Sequence, residues 1–170
     1  MVGCMLVVAD AHAHGPTRMK VTEKVVIDAP AQFVWSKIGA FDAIAQWHPA
    51  VQESPSNEGN QAGAVRRLVL NDGGVLREEL ESYSDKGMTY TYRIIEGIPD
   101  VLPVNSYKSW FRVSILDDNK SEVEWKGAFY RGFMGNNPPP ELNDDASREV
   151  ILAVYRSGLE GLKAYVEAAR

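Results

Sequence analysis

The sequence predicts an α+β fold, a curved antiparallel sheet of about seven strands wrapped around a long C-terminal helix, with two short helices after the first strand and a cavity inside. Three observations carry this expectation. Alternating apolar and polar segments follow one another at hairpin spacing from residue 51 to residue 130. Their junctions hold turn residues: Asn71-Asp72-Gly73, Ser84-Asp85-Lys86-Gly87 and Asp117-Asp118-Asn119-Lys120. The chain then closes on a helical apolar stripe that has no second sheet to face.

Val21 to Asp28 is rich in β-branched residues and reads as the first strand. Ala29-Pro30 opens a helix, because proline is tolerated in a first turn; Phe33, Val34 and Ile38 form its apolar side and Gly39 stops it. Phe41 to Gln46 makes a second short helix ending at Trp47-His48-Pro49. Strands are expected at Val51 to Glu58, Ala64 to Leu70, Val75 to Tyr83, Met88 to Ile95, Tyr107 to Leu116 and Glu122 to Tyr130. Side-chain alternation puts Tyr90, Tyr92, Ile94, Tyr107, Ser109, Phe111, Val113, Val123, Trp125, Gly127 and Phe129 on one inner face. The last helix runs from Asp144 to Ala168 with Asn143 as N-cap and two aspartates in its first turn. Its stripe is Val150, Ile151, Val154, Tyr155, Gly158, Leu162 and Val166. Glycine at 158 costs helix stability, so either a neighbour approaches closely there or a space is left open.

The hairpin Arg66 to Leu80 poses the sharpest question. A three-residue loop at Asn71-Asp72-Gly73 places Arg66 opposite Glu78 on an apolar face with Ala64, Leu68, Leu70, Leu76 and Leu80. A two-residue turn at Asp72-Gly73 would instead set Arg67 against Glu78. Either register leaves a glutamate facing an arginine on an apolar face. The pair is read in two ways, as the polar anchor of a ligand cavity or as a cross-strand ion pair capping the sheet where it meets water. An adjacent arginine is expected to lower the Glu78 pKa, which argues against Glu78 as a general base.

With 170 residues, 45% hydrophobic and 24% charged, the chain suits one globular domain. A net charge of −5 without a basic run argues against nucleic acid and anionic membrane partners. No apolar run reaches the roughly 18 residues of a membrane span. Met1 to Ala9 is apolar and precedes an A-x-A pattern, Ala11-His12-Ala13, so residues 1–13 read as a signal-peptide remnant and the protein as exported to the periplasm. The charged start of a signal peptide is missing. Cleavage there would remove Cys4, the only cysteine, and leave 14–19 as a tail before a domain spanning 20–170.

Ile27-Asp28-Ala29-Pro30 with Val34-Trp35, then Trp47-His48-Pro49, Gly63-Ala64-Val65-Arg66, Glu78-Glu79-Leu80-Glu81 and Tyr107-Lys108-Ser109 occur in an order that resembles the START/SRPBCC superfamily of helix-grip, polyketide cyclase-like proteins. The resemblance covers Lys20 to Val166 and implies the helix-grip fold; that fold hosts binders, cyclases and lipid carriers alike. At the two ends, His14-Gly15-Pro16-Thr17 and Phe129-Tyr130-Arg131-Gly132 followed by Gly135-Asn136, the proline run and Leu142-Asn143-Asp144 are similar to the MxaD family. That narrower resemblance implies a periplasmic accessory protein of methanol oxidation, with methanol dehydrogenase and its cytochrome c acceptor as partners and no catalysis of its own.

Arg66, Glu78, Tyr92, Tyr107, Ser109, Trp125 and Gly158 are the candidate cavity residues for a small hydrophobic ligand or lipid. Phe133 and Met134, set among glycines and prolines, are the candidate partner contact; Trp35 and Trp47 are further apolar groups expected at the surface. His48 reads as a loop residue bonded to backbone in preference to an acid–base group. Neither a cofactor nor a metal is expected; the one metal alternative is a free amino-terminal His14 joining His48 on copper. No nucleophile elbow, phosphate loop or dinucleotide fingerprint is present. The expected function is the exported helper, with cavity binding of a small molecule or lipid, and a cyclase/dehydrase-like enzyme, as alternatives.

Overall fold

In the computed structural model, which describes residues 15–170, the chain forms β1 (Met19–Ile27), α1 (Ala31–Ile38), α2 (Ile44–Trp47), β2 (Val51–Glu53), β3 (Val65–Leu70), β4 (Val75–Ser84), β5 (Thr89–Glu96), β6 (Val104–Asp117), β7 (Lys120–Arg131) and α3 (Asp144–Ala168). The expected signal segment, Cys4, His12 and His14 lie outside the described residues. The strands make one seven-stranded sheet in the order β1-β7-β6-β5-β4-β3-β2. Strands β2 to β7 are a meander of antiparallel neighbours. β1 pairs with β7 at the far edge, so the short helices carry the chain from one edge of the sheet to the other. α3 packs on β1 and β7 and also touches α1 and α2, which gives the sheet a helix to curl around.

The sequence places the elements closely, and the departures have local causes. β2 stops at Glu53 rather than Glu58 because Pro55 has no amide hydrogen to donate; beyond it only Ser56 bridges to Arg66. α2 is a single turn, Ile44–Trp47, rather than Phe41 to Gln46. β6 and β7 run longer than expected and are paired along most of their length. α3 has the expected bounds, and the Asn143 side chain accepts from the Ala146 amide at 2.8 Å.

Two burial expectations fail. Trp35 and Trp47 are buried, not exposed: Trp35 donates its indole hydrogen to Asp85 at 2.8 Å, and Trp47 packs its ring edge-on against Trp125. Aromatics that flank polar residues in the sequence are covered once the helices fold over the sheet. On α3, Val150 is exposed and the buried stripe takes in Ser147 and Leu159 instead. No helix among the described residues is long and apolar enough to cross a membrane.

Candidate functional site: a small cavity between sheet and helix

Arg66 pairs with Glu78 and Leu68 with Leu76, as the three-residue loop requires, with Gly73 at φ +89°. Arg66 is wholly sealed at 0% exposure and Glu78 nearly so at 4%. The pair is therefore not a cap where the sheet meets water. Arg66 Nε donates to Glu78 Oε2 at 2.7 Å and its Nη1 donates to the Phe41 carbonyl at 2.6 Å. The guanidinium carbon lies 4.2 Å from the Phe41 ring centroid and 4.8 Å from that of Tyr92, so aromatic faces take the place of water. Burial pushes the Glu78 carboxyl above the usual carboxylate range, and the attraction of Arg66 only partly offsets it. The expected depression is thus reversed, because full desolvation outweighs one cation.

Glu78 reaches a cavity of about 70 Å³. Its apolar wall comes from β3, β4 and β5 (Leu68, Leu76, Ile94) and from α3 (Ile151, Val154), with Leu70 and Leu102 only half-buried at its edge. Tyr92, Tyr107 and Trp125 complete it, with His48 from the Trp-His-Pro turn. An outer hollow of about 190 Å³ shares Ala50 and Leu70 with the cavity. The inner space is far below the roughly 300 Å³ at which ordinary small-molecule pockets begin.

Behind the cavity a hydroxyl chain has a fixed polarity. Ser109 Oγ donates to the Lys126 carbonyl at 2.8 Å, so its single hydrogen is used. Tyr155 must then be the donor in its 3.1 Å contact with Ser109, and Tyr107 the donor in its 2.6 Å contact with Tyr155. Trp125 Nε1 donates to Ser109 at 2.9 Å and to the Tyr92 oxygen at 3.1 Å. Tyr107 is left with an open acceptor, and Tyr92 with a hydrogen that finds no acceptor among the described residues. Burial raises the pKa values of Tyr92, Tyr107 and Tyr155 well above the ordinary phenol value, so all three stay neutral.

His48 is buried with both ring nitrogens committed. Nδ1 accepts from the Ala50 amide at 3.1 Å, which leaves Nε2–H to donate to the Val154 carbonyl at 3.2 Å. Burial holds its pKa below the ordinary imidazole value. Neither nitrogen is free for a metal, and among the described residues no group of three His, Cys, Asp or Glu side chains could hold one. Gly158 answers its own question: a Cβ there would stand 2.5 Å from His48 Cδ2 and 2.7 Å from Trp125 Cζ3. Close approach, not open space, requires the glycine.

Of the seven cavity candidates, Glu78, Tyr92, Tyr107 and Trp125 line the cavity. Arg66 stands behind Glu78, Ser109 behind Trp125, and Gly158 behind His48 and Trp125. For the wall residues Leu68, Leu70, Leu76, Ile94, Leu102 and Val154 the sequence offers no signal separating wall from core, since apolar residues at strand and helix positions read alike. Phe133 and Met134 are 37% and 49% exposed. Their loop is braced from inside by Arg131, which donates to the Phe133 carbonyl at 2.8 Å and the Gly135 carbonyl at 2.7 Å.

A curved sheet closed by a long C-terminal helix over an internal cavity defines a helix-grip protein of the START/SRPBCC superfamily. The chain belongs to the family described as polyketide cyclase / dehydrase and lipid transport, whose model matches residues 18–167. Among solved structures it is similar to the protein XoxI from Bacillus cereus, at 30% identity, TM-score 0.74, and coverage of 89% of this chain and 98% of that one. It is also similar to a putative uncharacterized protein from Bacillus thuringiensis, at 29% identity, TM-score 0.73, and coverage of 87% and 98%. The Zhui aromatase/cyclase from Streptomyces sp. R1128 shares the fold at 22% identity, TM-score 0.64, and coverage of 90% and 94%. No curated protein matches the chain.

Proposed function

We propose that the chain is a non-catalytic binding protein whose cavity takes a small, mostly apolar alcohol or amine. One observation carries this reading: an apolar wall ends in Glu78 and Tyr107 with open acceptors and Tyr92 with an open donor. A hydroxyl or neutral amine satisfies both kinds of group at once. A carboxylate would meet Glu78 rather than the sealed Arg66 and would be repelled. Catalysis is disfavoured because His48 has no free nitrogen and Glu78 is tied to a cation. At about 70 Å³ the inner space takes only a few heavy atoms, and a longer tail would pass Leu70 into the outer hollow.

The test is a series of straight-chain alcohols and amines, with carboxylates of equal length, followed by NMR shift titration. Each buried methylene contributes about 0.8 kcal/mol, so affinity should rise about fourfold per carbon until the inner space is full. Leu68→Phe, which fills the cavity, should abolish the shifts. Carboxylates binding best, or no response in any series, would overturn the reading.

A second reading is favoured by the braced Phe133–Met134 tip together with the resemblance of the two ends. In it the protein is exported to the periplasm and assists methanol dehydrogenase and its cytochrome c. Mass spectrometry of protein from its native host should then give a chain beginning at His14. Adding that protein should change the coupling of dehydrogenase to cytochrome, with no turnover by the protein alone. An intact amino terminus would sink export, and unaltered coupling would sink the helper role.

A further inference from the structure

The outer face of the β3–β4 hairpin carries a feature that the cavity does not use. Arg67 and Arg77 are direct cross-strand partners, both pointing to solvent. Like charges set opposite each other on a sheet repel, and this protein has an excess of acids with which it could have paired them. Arg67 has no ion pair and no side-chain hydrogen bond among the described residues. Arg77 has only a 3.3 Å contact with Glu96, both side chains being about half exposed or more, at 49% and 66%. Of the other carboxylates on this face, Glu79 is taken by Arg93 at 3.1 Å and Glu81 by Lys108 at 2.6 Å, and exposed Glu53 stands opposite Val69 without an ion pair among the described residues.

The two arginines stand in a concavity. A hollow of about 470 Å³ is lined by Pro55, Ser56, Asn57, Val65, Arg67 and Arg77, with no carboxylate among them. The segment forming its other wall is tied to β3 along the backbone: the Arg67 amide donates to Pro55 at 2.9 Å and the Asn57 amide to Val65 at 3.2 Å. Asn57 Oδ1 accepts from the Val65 amide at 2.8 Å, which leaves the Asn57 side-chain NH₂ as the unused end. The hollow therefore offers two guanidinium forks and an amide donor, the Ser56 hydroxyl being turned to the Gly59 carbonyl.

We propose that this hollow binds a small doubly charged oxyanion, a phosphate group or a short dicarboxylate, clamped between Arg67 and Arg77. Guanidinium forks match such oxygens two at a time, and the bound charge removes the repulsion between the arginines. The site is open to water, so binding should weaken as salt rises.

Inorganic phosphate and succinate, titrated separately at low ionic strength against a chloride control, provide the probes. Saturable NMR shifts are expected at the Arg67 and Arg77 Nε–H groups and the Asn57 side-chain amide. Arg67→Gln should weaken binding about tenfold, the loss of one charge-assisted contact, while leaving the rest of the spectrum in place. Glu96→Gln should tighten it by freeing Arg77. Stronger binding of phosphate names a phosphate group as the natural ligand, and stronger binding of succinate names a dicarboxylate. Shifts that do not saturate, match the chloride control, or persist unchanged in both Arg67→Gln and Arg77→Gln would overturn the proposal.

Discussion

Replacing Glu78 with alanine strands the buried Arg66 guanidinium without its counter-charge. Arg66 is 0% exposed, sandwiched against Phe41 and Tyr92, and would keep only its bond to the Phe41 carbonyl. Arginine cannot escape by losing its proton, so the cost is that of an unpaired buried charge, about 3–5 kcal/mol. The low end, about 3 kcal/mol, is expected because the removed carboxylate borders a cavity that water can enter. For a chain of this length that lowers the melting temperature by roughly 6–12 °C. Arg66→Met strands a carboxylate instead, and a carboxylate can take up a proton. Its folded pKa, already raised by burial, would then rise further. A raised carboxyl pKa favours the fold at pH below the ordinary value near 4.3 and is a loss as pH climbs through the folded value, so the Arg66→Met penalty should shrink in acid. The Glu78→Ala penalty should not. The double variant should recover at least about 2 kcal/mol of the summed single penalties. Circular dichroism melts at two pH values decide it. A Glu78→Ala change within about 0.5 kcal/mol, the range of an ordinary surface substitution, would refute burial of the pair. Strict additivity would refute its coupling.

Three further outcomes follow from the same packing. Gly158→Ala gains about 1 kcal/mol of helix propensity but forces a methyl against His48 and Trp125, both held by hydrogen bonds, at a cost of about 1–3 kcal/mol. A net fall of a few degrees in melting temperature is expected, and a rise would show that the helix can shift. His48 has a depressed folded pKa, so its contribution is complete above the ordinary value of about 6.5 and is lost as pH falls toward the folded value. His48→Gln should flatten the urea-midpoint profile in that window, and an unchanged slope would assign the effect to other groups. Phe133→Ser with Met134→Ser should alter stability by only about 0.5 kcal/mol, since Arg131 holds the loop through backbone carbonyls. A large loss in urea melts would show that the tip belongs to the core.

The local layout was legible in the residues alone. Asn71-Asp72-Gly73 allowed two loop lengths, and both put a glutamate opposite an arginine; Asn143 followed by Asp144-Asp145 marked where α3 begins. Alternation put Tyr90, Tyr92, Tyr107, Ser109 and Trp125 on the inner face, because a strand has only two faces and period two assigns every residue to one. What covers that face, and how closely, depends on contacts between residues distant in the chain. Trp35 and Trp47 are buried because the helices that carry them pack on strands distant in the chain, Trp35 against Tyr83 and Tyr90 and Trp47 against Phe111 and Trp125, and Val150 yields to Leu159 because the rotation of α3 is set by its partners. The same long-range packing makes Arg66 a sealed cation behind Glu78 rather than a group that lines the cavity, and through full desolvation it moves the Glu78 pKa up rather than down. It also shrinks the cavity to about 70 Å³, since a volume depends on how side chains from β3, β4, β5 and α3 interdigitate, and no periodicity within one element records that.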